Sequence, residues 1–327
     1  MPTSSTLATR LITLQSFKET VWGTSAAATS KWMGVMPLPK FTPYFKATAF
    51  EEQRGTLNKT YLAAILQKGG EWEAEMYGTY EDLLYPLFGS FGVVSPTGAG
   101  PYTWTFNAPL ASAWNAQSYT FEYGYDISTV QAAGCLIDKF SISGEASAEW
   151  KAKVSGFYKT HTTNGSLTGG ISNRTVEVVL TPVTTLAIDP AGTTPGTTAY
   201  ANTLISFSYE VETGLKPVYT AGTLEPSAFV YESFVPTLSM TLLYTSAVKS
   251  WMSSVLNTGA ASVIQLKSTS GTKSVEIDYS GVMTDNYAVY GDKDGAEIIE
   301  LKFTPLYDSG LANTSKIVVV NSVASLP

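Results

Sequence analysis

Apolar and polar positions alternate with a period of two along most of the chain, the pattern of strands with one buried face. The tract Glu71-Trp72-Glu73-Ala74-Glu75-Met76-Tyr77 is the cleanest instance: Trp72, Ala74 and Met76 point one way and three glutamates the other. Further strands are expected over Tyr44–Phe50, Tyr102–Phe106, Ser118–Tyr125, Phe140–Tyr158, Arg174–Leu180, Leu204–Glu212, Thr237–Tyr244, Ser262–Ser268, Ser274–Ser280, Thr284–Tyr290 and Ala296–Tyr307. Two segments carry helical spacing instead. Thr79 caps the first, with Glu81 and Asp82 in its first turn and Leu83, Leu84, Leu87 and Phe88 as its apolar stripe. Pro86 keeps it short, and Gly89 is the expected stop. Thr245 opens the second, which places Val248, Trp251, Met252 and Val255 on one face and ends near Gly259.

Breakers divide these elements. Residues 51–70 start with Glu51-Glu52-Gln53-Arg54-Gly55 and read as a long hairpin or projecting loop. Ser95–Pro101 and Asp189–Gly196 are turn-rich. The order strand, helix, strand, strand, strand occurs twice, which predicts two tandem copies of one module. The expected organisation is an extended N-terminal arm over 1–40, a first module over 41–160, and a linker over 161–171 rich in Thr, Asn, Ser and Gly. A second module follows over 172–310, then a C-terminal strand or tail over 311–327. The small-residue arm cannot bury itself, so it stays mobile or packs on a neighbour. Ile317–Val320 is either a buried strand or a tail that pairs with a neighbour.

Composition narrows the function. A net charge of −7 argues against a basic nucleic-acid-binding patch. One cysteine, Cys135, permits no intrachain disulfide and no zinc cluster, and it reads as a small buried hydrophobe. One histidine, His161, in a polar tract, does not suit a catalytic triad or a multi-histidine metal site. No cofactor and no enzymatic activity are therefore expected. The first twenty residues lack a basic-then-apolar signal, and no run is long enough to cross a membrane as a helix. Glu73 with Glu75, or Glu145 with Glu149, has the spacing of paired catalytic acids but no supporting motif. Asp285, Asp292, Asp294 and Glu297 have a calcium-loop composition without the EF-hand ligand pattern, so a hairpin turn is expected there. Trp104, Trp114, Tyr119, Tyr123 and Tyr125 form either core or a sugar-stacking platform.

Three tracts together resemble a known family. These are the arm Gly23-Thr24-Ser25-Ala26-Ala27-Ala28-Thr29, the run from Gly70 through Glu71-Trp72-Glu73-Ala74-Glu75-Met76 to Tyr85, and the run from Leu204 to Gly222 ending Gly214-Leu215-Lys216-Pro217-Val218-Tyr219. They look like the tail tube (major tail) proteins of long, non-contractile-tailed bacteriophages, over about residues 20–310. The resemblance implies a mainly β fold of β-sandwich or barrel modules, each with a flanking helix. It implies a virion subunit made in the host cytoplasm that self-assembles into stacked rings around a DNA-conducting channel. The doubled kind forms trimers with pseudo-sixfold symmetry. Partners are then further copies, and tape-measure, tail-tip and terminator proteins at the tube ends, with no membrane.

A sparse acidic wall would repel a sliding polyanion. Lumen candidates are Glu71, Glu73, Glu75, Glu122, Glu145, Glu149, Glu297 and Glu300; the other reading for each is a solvated outer strand face. The arm at 20–40, the loop at 51–70 and the tail at 311–327 are expected to bridge subunits and rings. Contact candidates are Trp22, Thr24, Trp32, Glu51, Glu52, Arg54, Asn58 and Tyr61. The competing class is a soluble β-sandwich module that binds carbohydrate or another ligand.

Overall fold

The computed structural model describes residues 12–36, 39–110, 114–125, 128–163, 166–284 and 291–326. The strands of the first part are β1 (Thr13–Lys18), β2 (Ser30–Lys31), β3 (Lys40–Glu51), β4 (Thr60–Tyr77), β5 (Tyr102–Asn107), β6 (Tyr119–Tyr125), β7 (Ser128–Glu145), β8 (Lys151–Tyr158) and β9 (Thr160–Thr163), with helix α1 (Leu84–Phe91) after β4. Next come β10 (Thr184–Pro190), β11 (Leu204–Glu212), β12 (Leu215–Val218), β13 (Ala228–Tyr231), β14 (Val235–Leu243), helix α2 (Ser246–Thr258), β15 (Ser262–Ser270), β16 (Lys273–Met283), β17 (Gly291–Lys293), β18 (Ala296–Pro305) and β19 (Ser315–Asn321).

Antiparallel pairings join eight of these into one continuous layer in the order β3-β4-β8-β7-β11-β14-β18-β17. Its centre is a ladder between β7 and β11, running from Lys139↔Glu212 to Glu145↔Ser206. Two further groups of strands pack on one face of this layer. One is β2-β1-β6 with the N-terminal half of β7 and β9; the other is β10-β15-β16-β19-β5. Trp72 of β4 lies against Phe121 of β6 with ring centroids 4.7 Å apart, and Tyr209 of β11 meets Tyr279 of β16. The result is a mainly β sandwich with two α-helices among the described residues, as expected. Pairings also recur: β4 lies between β3 and β8 and leads into α1, as β14 lies between β11 and β18 and leads into α2.

The helix ends follow the local chemistry. Thr79 Oγ1 accepts from the Asp82 N–H at 3.0 Å in the turn before α1, and Pro86 falls in the first helical turn, where no intrahelical N–H is lost. The helix passes through Gly89 and stops at Gly92, because Gly89 packs under Ile137 and not at a turn. Thr245 caps α2, and Gly259 closes it in the left-handed conformation.

Several expectations change. The arm is extended but is laid on its own chain. β1 pairs with β6, and the Glu19 carboxylate accepts from Gly23 N–H, Ser118 Oγ, Thr120 Oγ1 and Gly134 N–H at 2.7–2.8 Å. Trp32, a contact candidate, is in the core of its own chain against Tyr85 and Phe121. The C-terminal residues form β19, paired on both sides within the chain, so the buried-strand alternative holds for 315–321 and the bridging tail does not. Phe140–Tyr158 is not one strand: β7 ends at Glu145, residues 146–149 turn, and β8 returns. Arg174–Leu180 forms isolated bridges at Val178 and Leu180 instead of a strand. Part of the expected linker, with His161, is the exposed strand β9. Thr284–Tyr290 lies outside the described residues except for Thr284, and so does Asp285. The Asp294-Gly295 turn has positive φ at both residues, the tight hairpin expected there.

Segment 172–180 is tied down by ion pairs. Arg174 pairs with the fully buried Asp82, and Lys273 of β16 bridges Glu81 and Glu177 at 2.6 and 2.9 Å. Burial pushes the Asp82 carboxyl up to about 6, against the opposing pull of Arg174 and the Met33 N–H. A raised folded-state value stabilises below the unfolded value near 3.8 and is lost as pH rises through about 6. Wild type should therefore gain stability relative to Asp82→Asn on going from pH 7 to pH 4, by up to about 3 kcal/mol, as read from paired denaturant melts. Separately, a Cβ at Gly156 in β8 would sit 1.8 Å from the Leu136 carbonyl oxygen. Backbone must move to admit it, so Gly156→Ala should destabilise by about 3 kcal/mol or more in the same melts.

Candidate functional site: a polar sheet face and an apolar ribbon

The eight-stranded layer buries one face and exposes the other. On β4, Trp72, Ala74 and Met76 are inward, while Glu71 and Glu75 are exposed and Glu73 is half-buried. Opposed residues of an antiparallel pair share a face, so rows can be followed across the sheet. One row runs Lys40-Glu73-Ser155-Lys139-Glu212-Val235, and the next Glu75-Lys153-Ser141-Glu210-Thr237. A third runs Tyr77-Lys151-Ser143-Ser208-Ser239-Lys302, and a fourth Glu145-Ser206-Thr241-Glu300. The middle of this face forms an open trough of ≈ 660 Å³ lined by Ser143, Glu145, Glu149, Lys151, Ser206, Ser208, Ser239, Thr241, Glu300 and Lys302.

The expected acidic wall is therefore a chequered one. With Glu71 the rows hold seven glutamates and five lysines. Lys40 pairs with Glu73, Lys153 lies 3.7 Å from the same carboxylate, and Lys139 is 3.0 Å from Glu212. The Lys40 hydrogen bond holds Glu73 below the usual carboxylate range.

Of the eight sequence-picked acids, Glu71, Glu73, Glu75, Glu145 and Glu300 share this face. Glu122 does not: it is buried in β6, where it accepts from the Thr168 N–H at 2.7 Å and the Ala28 N–H at 3.2 Å. Glu149 lies in the β7–β8 turn and lines the same trough. Glu297 has the opposite parity to Glu300, at the hairpin end of β18. Glu210 and Glu212 were missed, although Ser206-Phe207-Ser208-Tyr209-Glu210-Val211-Glu212 alternates as cleanly as β4.

The second feature is a ribbon. β4 pairs with β8 only from Gly70 onward, so β3 and β4 run on as a two-stranded ribbon, held at its base where the Lys68 N–H donates to the Leu224 carbonyl and the Tyr44 hydroxyl meets that of Tyr219. One ribbon face carries Phe45, Ala47, Ala49, Ala63 and Ile65; the other carries Phe50, Leu62 and Ala64. Phe45 is 66% exposed, and Phe50, Leu57, Leu62, Ile65 and Leu66 are exposed as well. Glu51, Arg54 and Asn58 are exposed near the tip, with Glu52 and Tyr61 half-buried; Glu52 pairs with Arg54, whose guanidinium lies over the Tyr61 ring. An isolated two-stranded ribbon is marginal in water, and an apolar patch of this kind marks a contact surface.

Trp22 of the arm is half-buried on its own chain: its Nε1–H donates to the Gly134 carbonyl, and its ring meets Phe229 edge-on. Thr24 beside it is exposed. Three of the five platform aromatics are packing, while Tyr123 is half-buried and Tyr125 exposed. Trp104 and Tyr119 are fully buried, and Trp114 is wedged between Tyr231 and Phe234. Cys135 is buried and free, with its thiol pushed well up by burial.

A comparison with curated proteins returns no match. A family model described as phage tail tube protein matches residues 9–305. That span takes in the polar face, the ribbon and both helices, and it gives the chain a structural role in a virion tail. The chain belongs to the phage tail tube protein family.

Proposed function

We propose that three copies of this chain close into a ring lined by the polar face of the eight-stranded layer, and that rings stack into a tube that conducts duplex DNA. The observation that carries this reading is one polar face, with an open trough at its middle, bounded by two strands, β3 and β17, each paired on one side only among the described residues. Such edges are templates for pairing with another chain, and a head-to-tail contact makes a ring when its rotation closes.

Size favours three copies. At ~4.8 Å per strand and a tilt of about 40°, about 24 strands close at a backbone radius of roughly 24 Å, leaving a bore of roughly 38 Å inside the side chains. Two copies would leave roughly 22 Å by the same geometry, too tight for a hydrated duplex about 20 Å across. The recurrent pairings support two tandem modules, and hence a pseudo-sixfold wall. Their limits move outward from those read in the sequence, to take in β1 and β19.

The chequered charge suits passage without capture. Lysines already paired to glutamates offer phosphates few free cations, so the wall neither grips nor strongly expels the duplex. Tape-measure, tail-tip and terminator proteins are the partners at the tube ends.

Purified protein followed by negative-stain microscopy and mass measurement should give rings of three and hollow tubes; rings of another order would sink the trimer. The double variant Glu210→Lys and Glu300→Lys should still assemble, since both side chains are exposed. Particles carrying it should eject DNA at least tenfold more slowly at low salt and recover at high salt. Unchanged ejection would remove this face from the channel.

A further inference from the structure

The root of the ribbon is gripped by the second half of its own chain. β4 leaves the sandwich at Gly69-Gly70, and neighbouring strand positions face opposite sides of the sheet. On the polar side the Tyr44 and Tyr219 hydroxyls meet over Gly69, where a Cβ would stand 2.9 Å from both oxygens. On the buried side the Tyr158 ring occupies the space that a Cβ at Gly70 would need. One residue further out, β8 no longer lies beside β4, and the Lys68 N–H donates to the Leu224 carbonyl at 2.8 Å instead.

Tyr219 and Leu224 both belong to the tip of the β12–β13 hairpin. That tip is tied within itself. The Ser227 N–H donates to the Val218 carbonyl at 2.9 Å, the Thr220 hydroxyl to Ser227 Oγ at 3.0 Å, and the Glu225 N–H to Thr223 Oγ1 at 3.1 Å. The other end of the hairpin is anchored on the first half of the chain. Leu215 is buried against Leu136 and Phe157, Phe229 meets Trp22 edge-on, and the Tyr231 hydroxyl donates to the Trp114 carbonyl at 2.7 Å. Just outside the root the ribbon's register slips. Lys46 opposes Gln67 but Ala47 opposes Ile65, so Leu66 is left as a bulge and is half exposed. A bulge interrupts the ladder and bends the strand that carries it.

We infer that the β12–β13 hairpin is a strut that fixes the direction in which the β3–β4 ribbon leaves the body, and that the blade beyond it, residues 47–65, pivots at the Leu66 bulge. An unbraced ribbon would swing about Gly69-Gly70, where two glycines in succession give the backbone its least resistance. The strut moves the pivot outward to Leu66. It also makes an element of the first half answer to the second, because the ribbon takes up its direction only when residues 213–234 are folded. The device belongs to the single chain and stands apart from the proposed ring.

The test is amide hydrogen exchange of the full chain, dilute and unassembled, read by mass spectrometry with overlapping peptides. Residues 44–46 and 67–70 should exchange about tenfold or more slowly than 48–64. Replacing residues 219–226 by an Asn-Gly turn removes the strut's contact and keeps the Ser227–Val218 bond that closes the hairpin. It should speed exchange at 44–46 and 67–70 by about tenfold and leave 136–158 unchanged. Tyr219→Phe, which keeps the ring and removes one hydroxyl, should act in the same direction by about threefold, and it carries the test if the shortened hairpin does not fold. A root that exchanges as fast as the blade in the unmodified chain would overturn the pivot. Root exchange unchanged by either variant, or rising together with that of 136–158, would overturn the strut.

Discussion

The ladder between β7 and β11 is the interaction on which the remaining architecture depends. It pairs Lys139 through Glu145 with Ser206 through Glu212, and so makes one layer from strands of both halves. Without it there are two smaller sheets; with it there is one curved surface with a buried and a polar side. The buried side is then covered by two strand groups and both helices. The polar side stays open, and its rows continue unbroken across the joint from Lys139 to Glu212 and from Ser143 to Ser208.

The sequence made the strands with strict alternation legible. Trp72, Ala74 and Met76 against Glu71, Glu73 and Glu75 is a pattern that packing has no reason to override, and β11, β14, β15 and β18 follow the same logic. What stayed hidden was structure built from buried polar groups. β1 turns Gln15 and Ser16 inward beside Leu14, and Glu19 is buried with four hydrogen-bond donors around it. Hydrophobic periodicity cannot see a segment held by a carboxylate and backbone amides, so 12–36 read as a loose arm. The helix stop was misplaced for a related reason. Gly89 is small to admit Ile137, a packing demand that looks identical to a turn in one dimension.

The candidate surface was half legible. Alternation identified that Glu71, Glu73 and Glu75 share a face, but the lysines that neutralise it come from β3, β7 and β8, and cross-strand register is not written in any one segment. Glu122 shows the reverse error. It sits at a strand position that alternation allows to face outward, yet the arm and Thr168 close over it.

Carrying the β7–β11 seam inside a single polypeptide also changes the thermodynamics of assembly. Its two edges meet at the high effective concentration of a tethered pair, about millimolar for a short flexible linker, whatever the amount of protein present. In the proposed ring only every second seam depends on encounter between molecules, so the translational entropy lost on closure is that of three bodies, not six. The two kinds of seam are also free to diverge. The tethered joint can be permanent while the bimolecular one stays weak enough to correct a misplaced subunit.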